Sequence, residues 1–279
     1  MEFKLFNKER DWKLLKRVAF LVILIAALII VKDEIVWQLD LGDWAEDGYY
    51  EEGYDLGCNV VGAELHGYLD VSVYEEGDVS SDNIVWTIES AEQDESIKAI
   101  ILDIDSTGGD PVAAEEIANA LKRATKPTIA LIRSYGLSAA YFGATGADII
   151  FASAISDVGS IGITYSYVDN AKRNQVEGLT YNQISSGKFK NMLDPDKPLT
   201  YEERQLLERD MKIIHENFVE AVAENRGLDI EKVRALADGS SILGQMALEN
   251  GLIDKIGDLY DVREYLEGII DEEAVVCWE

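Results

Sequence analysis

Ile129-Ala-Leu-Ile-Arg-Ser-Tyr-Gly-Leu-Ser138-Ala-Ala-Tyr-Phe-Gly-Ala144 is the stretch on which the reading of the chain turns. It is a short apolar strand, a turn containing glycine, a serine, and a helix start built of small residues. A serine where a strand becomes a helix lies beside unpaired backbone N–H groups and the positive end of the helix dipole. A nucleophile is useful there, because an oxyanion formed next to it finds donors already in place. The alternative is that Ser138 only caps the helix. A second unit of the same kind precedes it: the apolar run Ala99-Ile-Ile-Leu-Asp-Ile104, the turn Asp105-Ser-Thr-Gly-Gly109, then another helix. Two such units can converge on one site.

Around this pair the chain alternates strand and helix patterns. A strand is expected near 60–69, a helix over 80–91, a strand at 99–104 and a helix near 112–124. The strand 128–133, a helix from Ser138 to about Gly146 and a short strand at 149–151 follow. Apolar strands without alternation, separated by helices, predict parallel β-α-β units covered on both faces. Thr200-Tyr-Glu-Glu203 is a capping box. It opens a helix whose apolar residues, from Leu206 to Val222, keep a helical period up to Gly227. Helices are also expected from Asp229, over 244–250 and over 260–268. Ala247-Leu-Glu-Asn-Gly251-Leu-Ile-Asp254 reads as a helix ended by a glycine cap.

The 279 residues are 47 % hydrophobic and carry a net charge of −28. Of 25 Lys and Arg, seven precede Asp33, while only three of 53 Asp and Glu do, so the remainder stands at −32. A body so acidic repels phosphate backbones, which sets nucleic acid aside as a partner. It suits solubility at high salt. No CxxC and no His/Cys spacing suggests a metal. Cys58 and Cys277 are the two cysteines.

The first 17 residues are basic, and an apolar run extends from Val18 to Val31. Fourteen residues fall short of the ~20 that cross a bilayer, although Lys16, Arg17 and Lys32 can snorkel to the interfaces. No small-residue cleavage site follows the run, so it reads as an uncleaved transmembrane anchor, residues 18–32. The basic tail, 1–17, then lies in the cytoplasm and the acidic body outside. Residues 33–57 form an acidic juxtamembrane linker, and a globular domain occupies 58–279.

A nucleophilic serine needs a base. The only histidines are His66, in an early strand pattern, and His215, off the apolar stripe of the long helix; neither is attractive as a partner. A lysine serves if it is neutral. Ser185-Ser-Gly-Lys-Phe-Lys-Asn-Met-Leu-Asp-Pro195 offers Lys188 and Lys190, which spacing alone does not separate.

Five stretches, in order, resemble the signal peptide peptidase A (SppA) group of membrane-anchored Ser/Lys peptidases: Ser106-Thr-Gly-Gly109, Ser138-Ala-Ala-Tyr-Phe142, Gly159-Ser-Ile-Gly162, Ser186-Gly-Lys-Phe-Lys190 and Ala247 to Asp254. The resemblance covers about residues 59–268. It implies a Clp-protease/crotonase-like α/β fold of stacked β-α-β units, Ser138 as nucleophile, and the second lysine of the Lys-x-Lys pair, Lys190, as general base. It further implies an oxyanion hole from the backbone N–H groups of Gly109 and Ala139, beside Gly108, with Ser160 orienting the lysine amine. Thr107 stands where the family has proline, and Ala139 and Ala140 where it has glycines. By the same resemblance the chain is an endopeptidase without cofactor or metal. Its expected substrates are apolar signal-peptide remnants, and it assembles as a homo-oligomer. The alternatives are a related Ser/Lys protease acting on another membrane protein or a phage-type scaffold, and a non-catalytic peptide-binding scaffold of the same fold.

Overall fold

A computed structural model describes residues 57–279 except Tyr74 and Glu76. The basic tail, the anchor and nearly all of the linker expected from the sequence lie outside the described residues. Among the described residues no helix is long and apolar enough to cross a membrane.

The described chain is a mixed α/β structure. Its main sheet is parallel, in the order β2 (Asp78–Ser80), β1 (Val60–Asp70), β3 (Ala99–Gly109), β4 (Thr128–Leu137), β5 (Ile149–Ala152), β8 (Lys255–Ile256). A short strand β9 (Val276–Trp278) pairs with the start of β1. Between the strands run α1 (Ser81–Gln93), α2 (Pro111–Arg123) and α3 (Ala139–Ala144). Each strand–helix unit falls where the alternation of patterns places it. The strands run further than the apolar stretches that announce them: β3 continues to Gly109 and β4 to Leu137.

Both faces of the sheet are covered, which is why Ile100, Ile101, Leu102 and Ile104 are all fully buried in succession. One face packs Leu65, Ile100, Leu102 and Ile132 against Ile88, Ile117 and Leu121 of α1 and α2. The other packs Ile101, Ile129, Leu131 and Phe151 against Val262 and Leu266 of α8 (Leu259–Ile270). Each such side chain contributes about 1.5–3 kcal/mol by leaving water.

Irregularities bend the strands at one level. The β1–β3 register shifts between His66 and Tyr68, and the β3–β4 register between Ile104 and Ser106. Beyond the bend, β4 leaves β5 and pairs instead with β6 (Asp157–Gly159), which itself pairs antiparallel with β7 (Ser241–Leu243). This upper layer carries the glycine turns.

The capping box at Thr200 forms as written, with Glu203 returning a bond to the cap, and opens α5 (Tyr201–Arg226), which ends at Gly227 in the left-handed conformation. Shorter helices α6 (Ile230–Leu236) and α7 (Gly244–Asn250) follow. Between Ser160 and Thr200 lies a long arm with one six-residue helix, α4 (Ala171–Val176), and no strand. Cys58 and Cys277, which the sequence leaves unassigned, are joined in a disulfide across 219 residues. Closing so long a loop is worth about 5.4 kcal/mol in the chain-entropy model.

Candidate active site

The two turns singled out in the sequence meet. Ser138 caps α3 with φ 51° and ψ −124°, a backbone conformation that is strained for any residue with a Cβ. The strain is held by backbone: Ser138 N–H donates to Gly159 O at 2.8 Å, and Phe142 N–H donates to Ser138 O at 3.0 Å. The serine makes no cap bond with its own side chain, so the capping alternative does not describe it. A strained strand-to-helix turn is a known way of presenting a serine Oγ to a substrate.

Gly108 closes on this turn from β3, and Gly109 beside it packs on the Leu69 backbone of β1. A Cβ on Gly108 would stand 2.8 Å from Ser138 Cβ and 3.1 Å from Ala139 N, and one on Gly109 would stand 1.9 Å from Leu69 O. Only glycine fits either position. The turn is braced from within by Ser106, which is buried. Its hydroxyl donates to Gly67 O at 2.6 Å and accepts from Gly108 N–H at 3.1 Å. Asp110 then caps α2, accepting from Val112 N–H at 2.7 Å.

Ser138 is half-buried and lines two cavities. The first, of about 440 Å³, is a groove between α2 and α5 that also includes Gly109 and Ala139. Phe142 and Phe218, stacked with centroids 5.0 Å apart, supply aromatic lining, and Val112, Ile163 and Ile214 add aliphatic surface. The second, of about 690 Å³, lies toward Thr107, Ser160 and His215. Ser160 also has positive φ, 51°, and its hydroxyl donates to Gly239 O at 2.9 Å. Its lone pairs remain to accept a bond from an amine.

The methyl groups of Ala139 and Ala140, where glycines are expected, belong to the core: the two residues are 4 % and 0 % exposed. They fill space behind the serine. Tyr141, fully buried beneath the same helix, donates to Leu252 O at 2.8 Å, and burial pushes its phenol above the ordinary range. Asp254 accepts from Ile150 N–H and from Arg226. The Ala247–Asp254 motif thus ties the helix that begins after Ser138 to the sheet.

Lys190 is not brought to this site within one chain. It stands exposed on the arm and lines neither cavity. Lys188 pairs with Glu202 at 2.7 Å. The arm around them exposes Tyr165, Val168, Val176, Leu179, Ile184 and Phe189.

His66 is engaged by Asp103 at 3.2 Å, the one carboxylate in the buried run of β3, which Arg133 also holds at 2.6 Å. His215, off the apolar stripe of α5, is nonetheless not fully exposed. It is half-buried and lines the second cavity with Ser138. Its Nε2 lies 3.1 Å from Ala237 O. A carbonyl only accepts, so that nitrogen donates, and the ring holds the segment carrying Gly239. Lys212, one turn earlier on α5, lines the same cavity and drew no attention in the sequence.

Known proteins bear on this geometry. The model of peptidase family S49 matches residues 120–270, more than half of the chain. A provisionally named signal peptide peptidase SppA of Enterococcus faecium is 29 % identical over 66 % of this chain and 55 % of its own length. The chloroplastic serine protease SPPA of Arabidopsis thaliana is 30 % identical over 65 % of this chain and 27 % of its own. The chain therefore spans little more than half of one relative and about a quarter of the other. Among solved structures, a ClpP1 mutant from Listeria monocytogenes matches with a TM-score of 0.48 at 13 % identity, over 72 % of this chain and 92 % of that one.

Proposed function

Because the chain belongs to peptidase family S49, we propose that it is a serine endopeptidase in which Ser138 attacks the scissile carbonyl and Lys190 takes its proton. The observation that carries this reading is the closure of Gly108 on the strained Ser138 turn, with Gly109 lining the same groove as Ser138 and Ala139. In the attack, Ser138 Oγ bonds to the carbonyl carbon as its proton passes to the lysine amine. The oxyanion is met by the N–H groups of Gly109 and Ala139. As the intermediate collapses, the lysine returns the proton to the leaving amine, and water then releases the acyl group by the same steps in reverse. Each oxyanion donor is worth ~2.7–4 kcal/mol in the transition state. Ser160 orients the amine by accepting a hydrogen bond from it.

The amine must come to Ser138 from elsewhere, since Lys190 is exposed and absent from both cavities. A second copy of the chain supplies it, and the exposed apolar side chains of the arm are the surface on which copies join. The aromatic groove beside Ser138 takes an apolar residue of the substrate, in keeping with signal-peptide remnants. The 18–32 segment anchors the body outside the cytoplasm, where the Cys58–Cys277 disulfide persists.

Hydrolysis of a fluorogenic apolar peptide by the full chain tests this. Ser138→Ala and Lys190→Ala each lose activity by about 10⁴-fold or more, and Lys188→Ala keeps most of it. Mixing and reassembling the two inactive variants returns part of the activity. No return places the base in the same chain as its serine. Activity in Ser138→Ala overturns the nucleophile.

A further inference from the structure

The second cavity has a feature that the hydrolytic steps leave unused. Besides Ser138, Thr107, Ser160 and Thr164, it is lined by Lys212, which is exposed. The other basic residues of α5 are paired: Arg204 with Glu208, Arg209 with Asp210, and Arg226 with Asp254. Lys212 makes no ion pair and no side-chain hydrogen bond among the described residues. Its neighbour Glu216 is already taken by both arms of Arg234, at 2.6 Å each.

The other titratable groups lining the cavity are Asp238 and His215. Asp238 accepts from Ser240 Oγ at 2.6 Å and from Ser240 N–H at 2.9 Å, and these two bonds hold its carboxyl below the usual range. Its charge is therefore present but its oxygen is engaged nearby. His215 spends Nε2 on Ala237 O. Among the described residues that leaves Lys212 as the cation that a single copy offers to the cavity with its donors free, in a protein of net charge −28. An anionic part of a substrate approaching such a body is repelled at long range, and it settles only where a local cation holds it.

Ser138 lines both cavities. The groove that contains Gly109 and Ala139, whose N–H groups face the developing oxyanion in the reading above, suits the acyl part. The cavity that contains Ser160 is then on the side of the departing amine. From this placement we infer that Lys212 is a specificity-determining residue, seating a carboxylate carried by the leaving part of the substrate peptide a few residues beyond the scissile bond. The inference rests on Ser138 as nucleophile. The carboxylate is either the peptide's own C-terminus, which favours short fragments, or an Asp or Glu side chain.

Four peptides of one apolar sequence separate these sources: a free acid, its C-terminal amide, and amides with Glu or Gln in the leaving part. With the full chain at low salt, kcat/KM for the favoured carboxylate exceeds that for its neutral counterpart by about three- to tenfold, mainly through KM. The ratio falls to near one in Lys212→Met, survives in Lys212→Arg, and shrinks in molar salt. A preference for acid over amide assigns the terminus; one for Glu over Gln assigns the side chain. Equal rates on all four peptides, or a preference that persists in Lys212→Met, overturns the inference. A Ser138→Ala control that still cleaves would instead remove the nucleophile on which it stands.

Discussion

Gly108, Gly109 and Ser138 sit in turns fixed from every side, whereas the arm between Ser160 and Thr200 is fixed mainly at its end. The turns have a fully buried sheet below them, Ser106 within and Tyr141 behind, and backbone atoms fill the space where side chains would go. The arm has one short helix and no strand, a row of exposed apolar side chains, and an exposed Lys190 that makes no ion pair among the described residues. The strain at Ser138 therefore persists because the surrounding packing over-determines it. Nothing comparable within one chain sets the position of Lys190. One copy therefore fixes the Ser138 turn and leaves Lys190 away from it.

The sharpest way to break this contrast is to add one methyl group to each region. Gly108→Ala forces a Cβ to within 2.8 Å of Ser138 Cβ, at a φ of +111° that disfavours any side chain. The expected result is a loss of about 10²–10³-fold in kcat, the size of losing one oxyanion donor, in a protein that still folds. Gly187→Ala, on the arm, meets nothing within 4 Å. Its unfolding free energy stays within about 0.5 kcal/mol of the parent. A Gly108→Ala enzyme of ordinary activity would show that the turns are looser than their contacts imply.

A smaller effect probes where the arm is fastened. Glu203 caps α5 and pairs with Lys197 of the arm; its side chain is 4 % exposed. The hydrogen bond from Lys197, and then that from Thr200 N–H, hold its carboxyl below the usual range. A carboxyl lowered on folding contributes stability that is present above its unfolded value, ~4.3, and is lost as pH falls through the folded one. Glu203→Gln should therefore cost about 1–3 kcal/mol near pH 7. That difference should shrink in urea unfolding at about pH 3. A cost that is the same at both pH values would mean the charge of Glu203 does not matter.

The same contrast explains what the sequence made legible. The parallel β-α-β core follows from unbroken apolar strands such as 99–104, whose side chains all find cover. The capping box at Thr200 and the glycine caps at Gly227 and Gly251 are local signals, and they formed locally. The strand extensions to Gly109 and Leu137 were not visible, because they depend on pairing above the bend rather than on hydrophobic runs. Ala139 and Ala140, which stand where the family resemblance expects glycines, are buried in the core. His215 and Lys212 share a cavity with Ser138 only because α5 lines it. No spacing in the chain encodes that residues 138 and 212 line one cavity. The pairing of Cys58 with Cys277 depends likewise on β9 lying beside β1.

The central claim is that Ser138 is a nucleophile activated by a lysine. It is tested most directly by intact-mass and peptide mapping of the full chain after reaction with a fluorophosphonate. The account predicts a single adduct on the peptide containing Ser138. The adduct is absent in Ser138→Ala, forms far more slowly in Lys190→Ala, and forms at an ordinary rate in Lys188→Ala. An unmodified protein, or an adduct that survives in Ser138→Ala, would contradict it.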